Sequence, residues 1–154
     1  LLVDQPHEQL DGAGGRAQTR VLNAWMDKVQ NPLILRMIVL DVLNGIEAAD
    51  KKYFRATREQ RFGKPLEDVQ ADRAERIGDF RAGLGFLSDV LDEQPFLSGE
   101  APAYADYIVF SGFQWARCIS QFELLEAGDP LHQWRKRMLD LFDGTAAKAA
   151  TPTG

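Results

Sequence analysis

Apolar residues recur at three- and four-residue spacing along most of this 154-residue chain, the period of helices buried on one face. The first such face is Val21, Leu22, Trp25, Met26, Val29 and Leu33. Beyond it, Leu33 to Leu43 is apolar except for Arg36 and Asp41. Pro32 sits inside this pattern; it lacks an N–H and its ring strikes the turn behind it, so the pattern predicts one kinked helix or two helices meeting at Asn31 and Pro32. Gly45 is the terminator expected past its end. Residues 46–63 carry Tyr53, Phe54 and Phe62 among many charges and predict a short helix followed by a loop before Pro65.

Leu66, Val69, Ile77, Phe80, Leu84, Leu87 and Leu91 keep the helical spacing, with Arg73 where another apolar residue would fall. The expectation is one helix of about eight turns, started near Pro65 and stopped before Pro95. Gly78, Gly83 and Gly85 each cost such a helix up to about 1 kcal/mol. Gly83, just before Leu84, is the one expected to mark close packing.

The most apolar helix follows a Gly and Pro turn and holds Tyr107, Ile108, Val109, Phe110, Phe113, Trp115, Ala116, Cys118 and Ile119. A helix with no wet face belongs inside a bundle, and this run is well short of the ~20 residues that span a bilayer. Ala103 is its expected N-cap, with Asp106 placed to reach back to the Ala103 N–H as one half of a capping box. Ala103 has no side-chain oxygen for the other half. Asp129 and Pro130 start a last helix with Leu131, Trp134, Met138 and Leu141 on its inner face, ended by Gly144. No stretch alternates at period two for long enough to build a sheet. The class is therefore all-α, a bundle of roughly five to seven helices around a buried central one.

Domain limits follow from the same pattern. Residues 1–15, with Pro6, Gly12, Gly14 and Gly15, read as an interdomain linker remnant, residues 16–144 as one helical domain, and residues 145–154 as a frayed tail. Gly12 to Gly15 is loosely like a phosphate loop, but no strand precedes it. The chain starts at Leu1 and not at a methionine, so the beginning is expected to be incomplete.

A net charge of −5, with acids and bases interspersed, excludes a broad nucleic-acid surface. One cysteine, Cys118, excludes an intrachain disulfide, and in so apolar a helix it is expected to be a buried structural thiol. With neither a leader nor a membrane span in view, a cytoplasmic setting and no membrane partner are expected. His7 and His132 stand alone, so no metal site is expected.

The run FLSGEAPAYADYIVF resembles the helical C-terminal domain of glutathione transferases, whose buried helix begins with a Gly, an acid, a Ser or Thr cap, then an apolar residue, Ala and Asp. Ala103 departs from that pattern at the cap. QWARCIS, DPLHQWRKRMLDLFDG and the upstream REQRFGKPLEDVQADR are similar to the β-etherase branch of that superfamily. The resemblance runs over residues 16 to 144. It implies that glutathione is the co-substrate, bound mainly by a thioredoxin-like N-terminal domain that is absent from this chain and that carries the thiol-activating group. No catalytic residue is then expected here, and the full-length protein is expected to be a homodimer acting in detoxification.

The resemblance further implies that this domain walls the cleft for a hydrophobic aromatic substrate, mainly along its first helix. Trp25, Asn31, Arg36 and Trp115 are the substrate-binding candidates. Trp25 would stack on an aromatic ring or serve the core stripe on which it lies. Asn31, beside the Pro32 kink, would donate a hydrogen bond. Arg36 is a charge in an apolar run and needs a partner, either in the cleft or at Asp27 or Asp41. Trp115 belongs to the cleft or to the buried helix. The alternative function is a non-catalytic helical module for protein association.

Overall fold

The structure is a computed structural model, and residues 13–152 are described. His7 and most of the expected linker, residues 1–12, lie outside them. Ala13 to Gly15 already belong to α1 (Ala13–Trp25), so the helix starts three residues ahead of Arg16.

A π-helical turn at Met26–Gln30 joins α1 directly to α2 (Asn31–Gly45). Within it the Asn31 N–H donates to Met26 O, one residue further back than in an α-helix. Pro32 explains the widening. It has no N–H to offer and its ring would press on the carbonyl four residues behind, and a wider turn relieves both.

α3 (Ala48–Phe62) is longer than its sparse apolar content predicts, and it has no buried residue. It closes at Gly63, whose φ of 69° is the left-handed cap geometry. The segment expected as one long helix is instead α4 (Leu66–Gln70), α5 (Arg73–Ala82) and α6 (Gly85–Glu93). The first break turns the misplaced Arg73 toward α2, where its Nη1 reaches Asp41 Oδ2 at 2.7 Å and Met37 O at 3.0 Å. Gln70, buried beside that break, accepts from Leu40 N at 2.9 Å. The second break falls at Gly83 and Leu84. A Cβ at Gly83 would meet only the carbonyls of Phe80 (3.4 Å) and Asp79 (3.5 Å), both of its own turn. Gly83 thus marks a bend and not the close helix contact expected of it.

α7 (Tyr104–Ile119) is the central helix. Ile108, Val109, Phe110, Phe113 and Ala116 are buried with Ile34 and Ile38 of α2. It is not enclosed all round, however. Tyr104, Tyr107 and Ser111 are exposed and Trp115 is half-buried, and positions 104, 107, 111 and 115 share one stripe of a helix. α7 starts from Ala103, whose backbone is extended, and Asp106 Oδ2 accepts from the Ala103 N–H at 3.1 Å. Asp106 N–H already bonds Ala103 O at 2.9 Å, which leaves the first two N–H groups of α7 for a hydroxyl. Ala103→Ser is accordingly expected to stabilise the fold by about 0.5–2 kcal/mol, seen as a raised denaturant midpoint at unchanged slope. A lowered midpoint would show that the cap geometry has no room for the hydroxyl.

α8 (Pro130–Gly144) is capped by Asp129, which accepts from Leu131 N and from the Ser88 hydroxyl, both at 2.8 Å. Helical geometry stops earlier than Gly144: Leu141 is extended, and Phe142 and Asp143 have φ of 52° and 56°. After this break the tail is held against α7. Gln114 Nε2 donates to Ala146 O at 2.7 Å and Arg117 Nη2 to Ala147 O at 3.2 Å. The tail is expected to fray because it has little apolar mass; these side chain to backbone bonds and the packing of Ala146 on the core hold its described part. Among the described residues there is no strand, only an isolated bridge between Phe96 and Gly99.

Candidate ligand cavity at the π-turn

The π-turn, the start of α2, α3 and the open stripe of α7 border an open cavity of ≈400 Å³. Asn31 and Pro32 come to it from the start of α2, Asp27 from the π-turn, Arg61 from α3, and Gly112 and Trp115 from α7. Two of the four candidates, Asn31 and Trp115, are therefore brought together, although they are 84 positions apart in the chain (115 minus 31).

Gly112 makes this possible. A Cβ there would stand 2.6 Å from Met26 Cε, 2.9 Å from Asn31 Oδ1 and 3.3 Å from Ile34 Cδ1. The missing side chain lets the Asn31 amide lie against the backbone of α7. Asn31 Oδ1 is buried there with no hydrogen-bond partner, a state that normally costs about 1–3 kcal/mol. Ser111 is not free to compensate, because its hydroxyl donates to Ile108 O at 2.8 Å. Asp27 and Arg61 are exposed at the rim, and neither has an ion-pair partner among the described residues. The cavity thus offers an indole face, one amide and two opposite charges. It is equipped to hold and orient a flat partly polar molecule.

The other two candidates lie elsewhere. Trp25 is half-buried against the core and meets the exposed Phe86 edge-on, with ring centroids 5.5 Å apart at 80°, which ties α1 to α6. Arg36 is exposed and sits over the Phe62 ring at 5.6 Å. The acidic partner expected for it is replaced by an aromatic one. Asp41 is taken by Arg73 and by the Ser120 hydroxyl at 2.7 Å, and Asp27 faces the cavity.

A second cavity of ≈750 Å³ opens between the C-terminal ends of α2 and α7 and the tail. Cys118 lines it and is half-buried, which corrects the expectation of a fully buried thiol. Arg73, stacked 4.4 Å over the Phe122 ring, and its partner Asp41 line the same space. Their hydrogen bonds are made within the protein, so they act as a tie between helices. Among the described residues no three His, Cys, Asp or Glu side chains gather as they would for a metal ion, and no helix is long and apolar enough to cross a membrane.

Sequence reasoning missed Asp27, Arg61 and Gly112. Only Gly112 left a signal, as a lone glycine inside an apolar helix.

An all-helical domain with a buried central helix, an acidic first-turn cap and a lateral cavity at the kink of its first helix is the class these features define. The sequence matches the glutathione S-transferase C-terminal domain family over residues 17–141. The chain belongs to that family. It is also similar to a glutathione S-transferase-like protein, ustS, of Aspergillus flavus, with 31% identity over 77 aligned residues that cover 43% of this chain and 28% of that protein. The match thus spans little more than a quarter of that relative's length.

Proposed function

We propose that this chain is the electrophile-binding domain of a glutathione transferase, and that the cavity at the π-turn receives an aromatic electrophile. The observation that carries this reading is the meeting of the Trp115 ring and the Asn31 amide in one cavity on the open stripe of α7. Trp115 gives a face on which a flat ring stacks, and Asn31 fixes its rotation by a hydrogen bond donated from Nδ2 to a ligand oxygen. Glutathione, in this reading, is held and activated by a thioredoxin-like domain outside these residues. Its thiolate attacks an electrophilic carbon and an oxygen or halide leaves, while this domain holds the apolar partner in line. The likeness of residues 58–73, 114–120 and 129–144 to the β-etherase branch favours an aryl ether as the electrophile. A homodimer and a cytosolic setting accompany the reading.

Titration of the chain with a nitro-substituted diaryl ether tests it. Trp115→Ala is expected to weaken binding about tenfold through loss of the stacking face, and Asn31→Ala to weaken it several-fold. Trp25→Ala, a core change, is expected to lower stability and leave the affinity of the folded fraction unchanged. Equal affinity for the wild type and the Trp115 and Asn31 variants would overturn the assignment of the cavity.

A further inference from the structure

Arg36 needs an explanation that the electrophile cavity does not supply. It lines a separate depression of ≈130 Å³ with Phe62, Lys64, Val69, Asp72 and Arg76. Three cations, one each from α2, the loop after α3 and α5, line it together with one carboxylate, in a protein whose net charge is −5. The carboxylate is already engaged: Asp72 Oδ1 accepts from Arg76 Nε at 2.6 Å. Arg76 also donates to Val69 O at 2.7 Å, and Lys64 Nζ to Asp68 O at 3.1 Å. Arg36 alone makes no hydrogen bond or ion pair among the described residues. Its guanidinium is held by the Phe62 ring with its donors unspent. The Asp72 carboxyl is held below the usual carboxylate range, first by the Arg76 hydrogen bond and only last by the Lys64 charge.

Arginine donors set in a plane suit tetrahedral oxyanions, which they bind in pairs. The space is about four times the ~30 Å³ share of a liquid water molecule, enough for four oxygens around a central atom. We propose that this depression is a binding site for a doubly charged tetrahedral oxyanion, the phosphate group free or as a monoester, with Arg36 as its main ligand and Lys64 and Arg76 closing around it. It is distinct from the cavity at the π-turn and stands whether or not that cavity takes an electrophile.

The test is phosphorus NMR titration of the full 154-residue chain at fixed ionic strength, with inorganic phosphate in one arm and phenyl phosphate in the other. Saturable binding at one site is expected in at least one arm, lowered about tenfold by Arg36→Gln and several-fold by Lys64→Gln. Lys52→Gln removes the same charge at an exposed position of α3 and is expected to change nothing. Tighter binding of phenyl phosphate identifies a monoester of a larger molecule as the ligand, and tighter binding of inorganic phosphate identifies the free ion; both support the site. Arg36 is exposed and touches only one ring, so its variant is expected to keep the wild-type melting curve. Non-saturable titration in both arms, or equal binding by wild type, Arg36→Gln and Lys52→Gln, would overturn the proposal.

Discussion

Asp106→Ala is expected to destabilise the protein by about 3–5 kcal/mol, the range for removing one partner of a buried polar cluster. Reasoning from the cap alone gives a loss near 1 kcal/mol, because only the Ala103 N–H and the charge at the helix start are counted. The structure adds three more donors. Asp106 is fully buried, and its Oδ1 accepts from Leu97 N and from the indole Nε1 of Trp134, each at 2.8 Å, while Oδ2 accepts from Ser98 N at 3.1 Å. One carboxylate thus joins the turn before α7, the start of α7 and the middle of α8. Trp134 is itself fully buried and meets Phe110 edge-on, so water has poor access to its abandoned N–H. Asp106→Asn is expected to fall between, since it keeps one acceptor and turns an NH₂ toward the other donors. Restoring a cap oxygen with Ala103→Ser is expected to offset little of the loss, and the two changes to be non-additive because they share a cap. Urea midpoints for the single and double variants check this. A loss of about 1 kcal/mol for Asp106→Ala would mean that the cap accounts for all of its role.

Gly112→Ala is expected to cost about 1–3 kcal/mol from overpacking, against a helix-propensity gain of at most about 1 kcal/mol. The new methyl would overlap Met26 Cε and Asn31 Oδ1. Met26 is a flexible side chain but is only 2% exposed and walled in by the core, so the Asn31 amide has the easier way out, into the cavity. The larger effect is therefore expected on binding: the amide would fill the space proposed for the electrophile, and affinity for an aromatic ether is expected to fall more than for Asn31→Ala. The same titration, run beside a melting curve, checks both parts. Unchanged stability together with unchanged affinity would show that the close approach at Gly112 is not what shapes the cavity.

The all-helical class and the central helix could be read from spacing alone, because buried faces repeat at three and four whatever their partners are. Asp129, Pro130 and the Pro32 irregularity were legible for the same local reason. Arg73 was visible as a defect in a stripe, but its meaning, a break that turns it to Asp41, depends on a residue 32 positions away. The open stripe of α7 was hidden because Tyr107 and Trp115 look alike in sequence whether they face the core or a cavity. Arg36 stood out as a charge in an apolar run, expected in the cleft or beside Asp27 or Asp41, and it meets neither acid. That its neighbour is Phe62, beside Lys64 and Arg76, comes from how α2, the end of α3 and α5 meet.

Calorimetric titration of the 154-residue chain with glutathione and, separately, with a nitro-substituted diaryl ether tests the central claim most directly. The account predicts saturable heat with the ether, lost in Trp115→Ala, and no saturable heat with glutathione. Micromolar binding of glutathione without binding of the ether would contradict it.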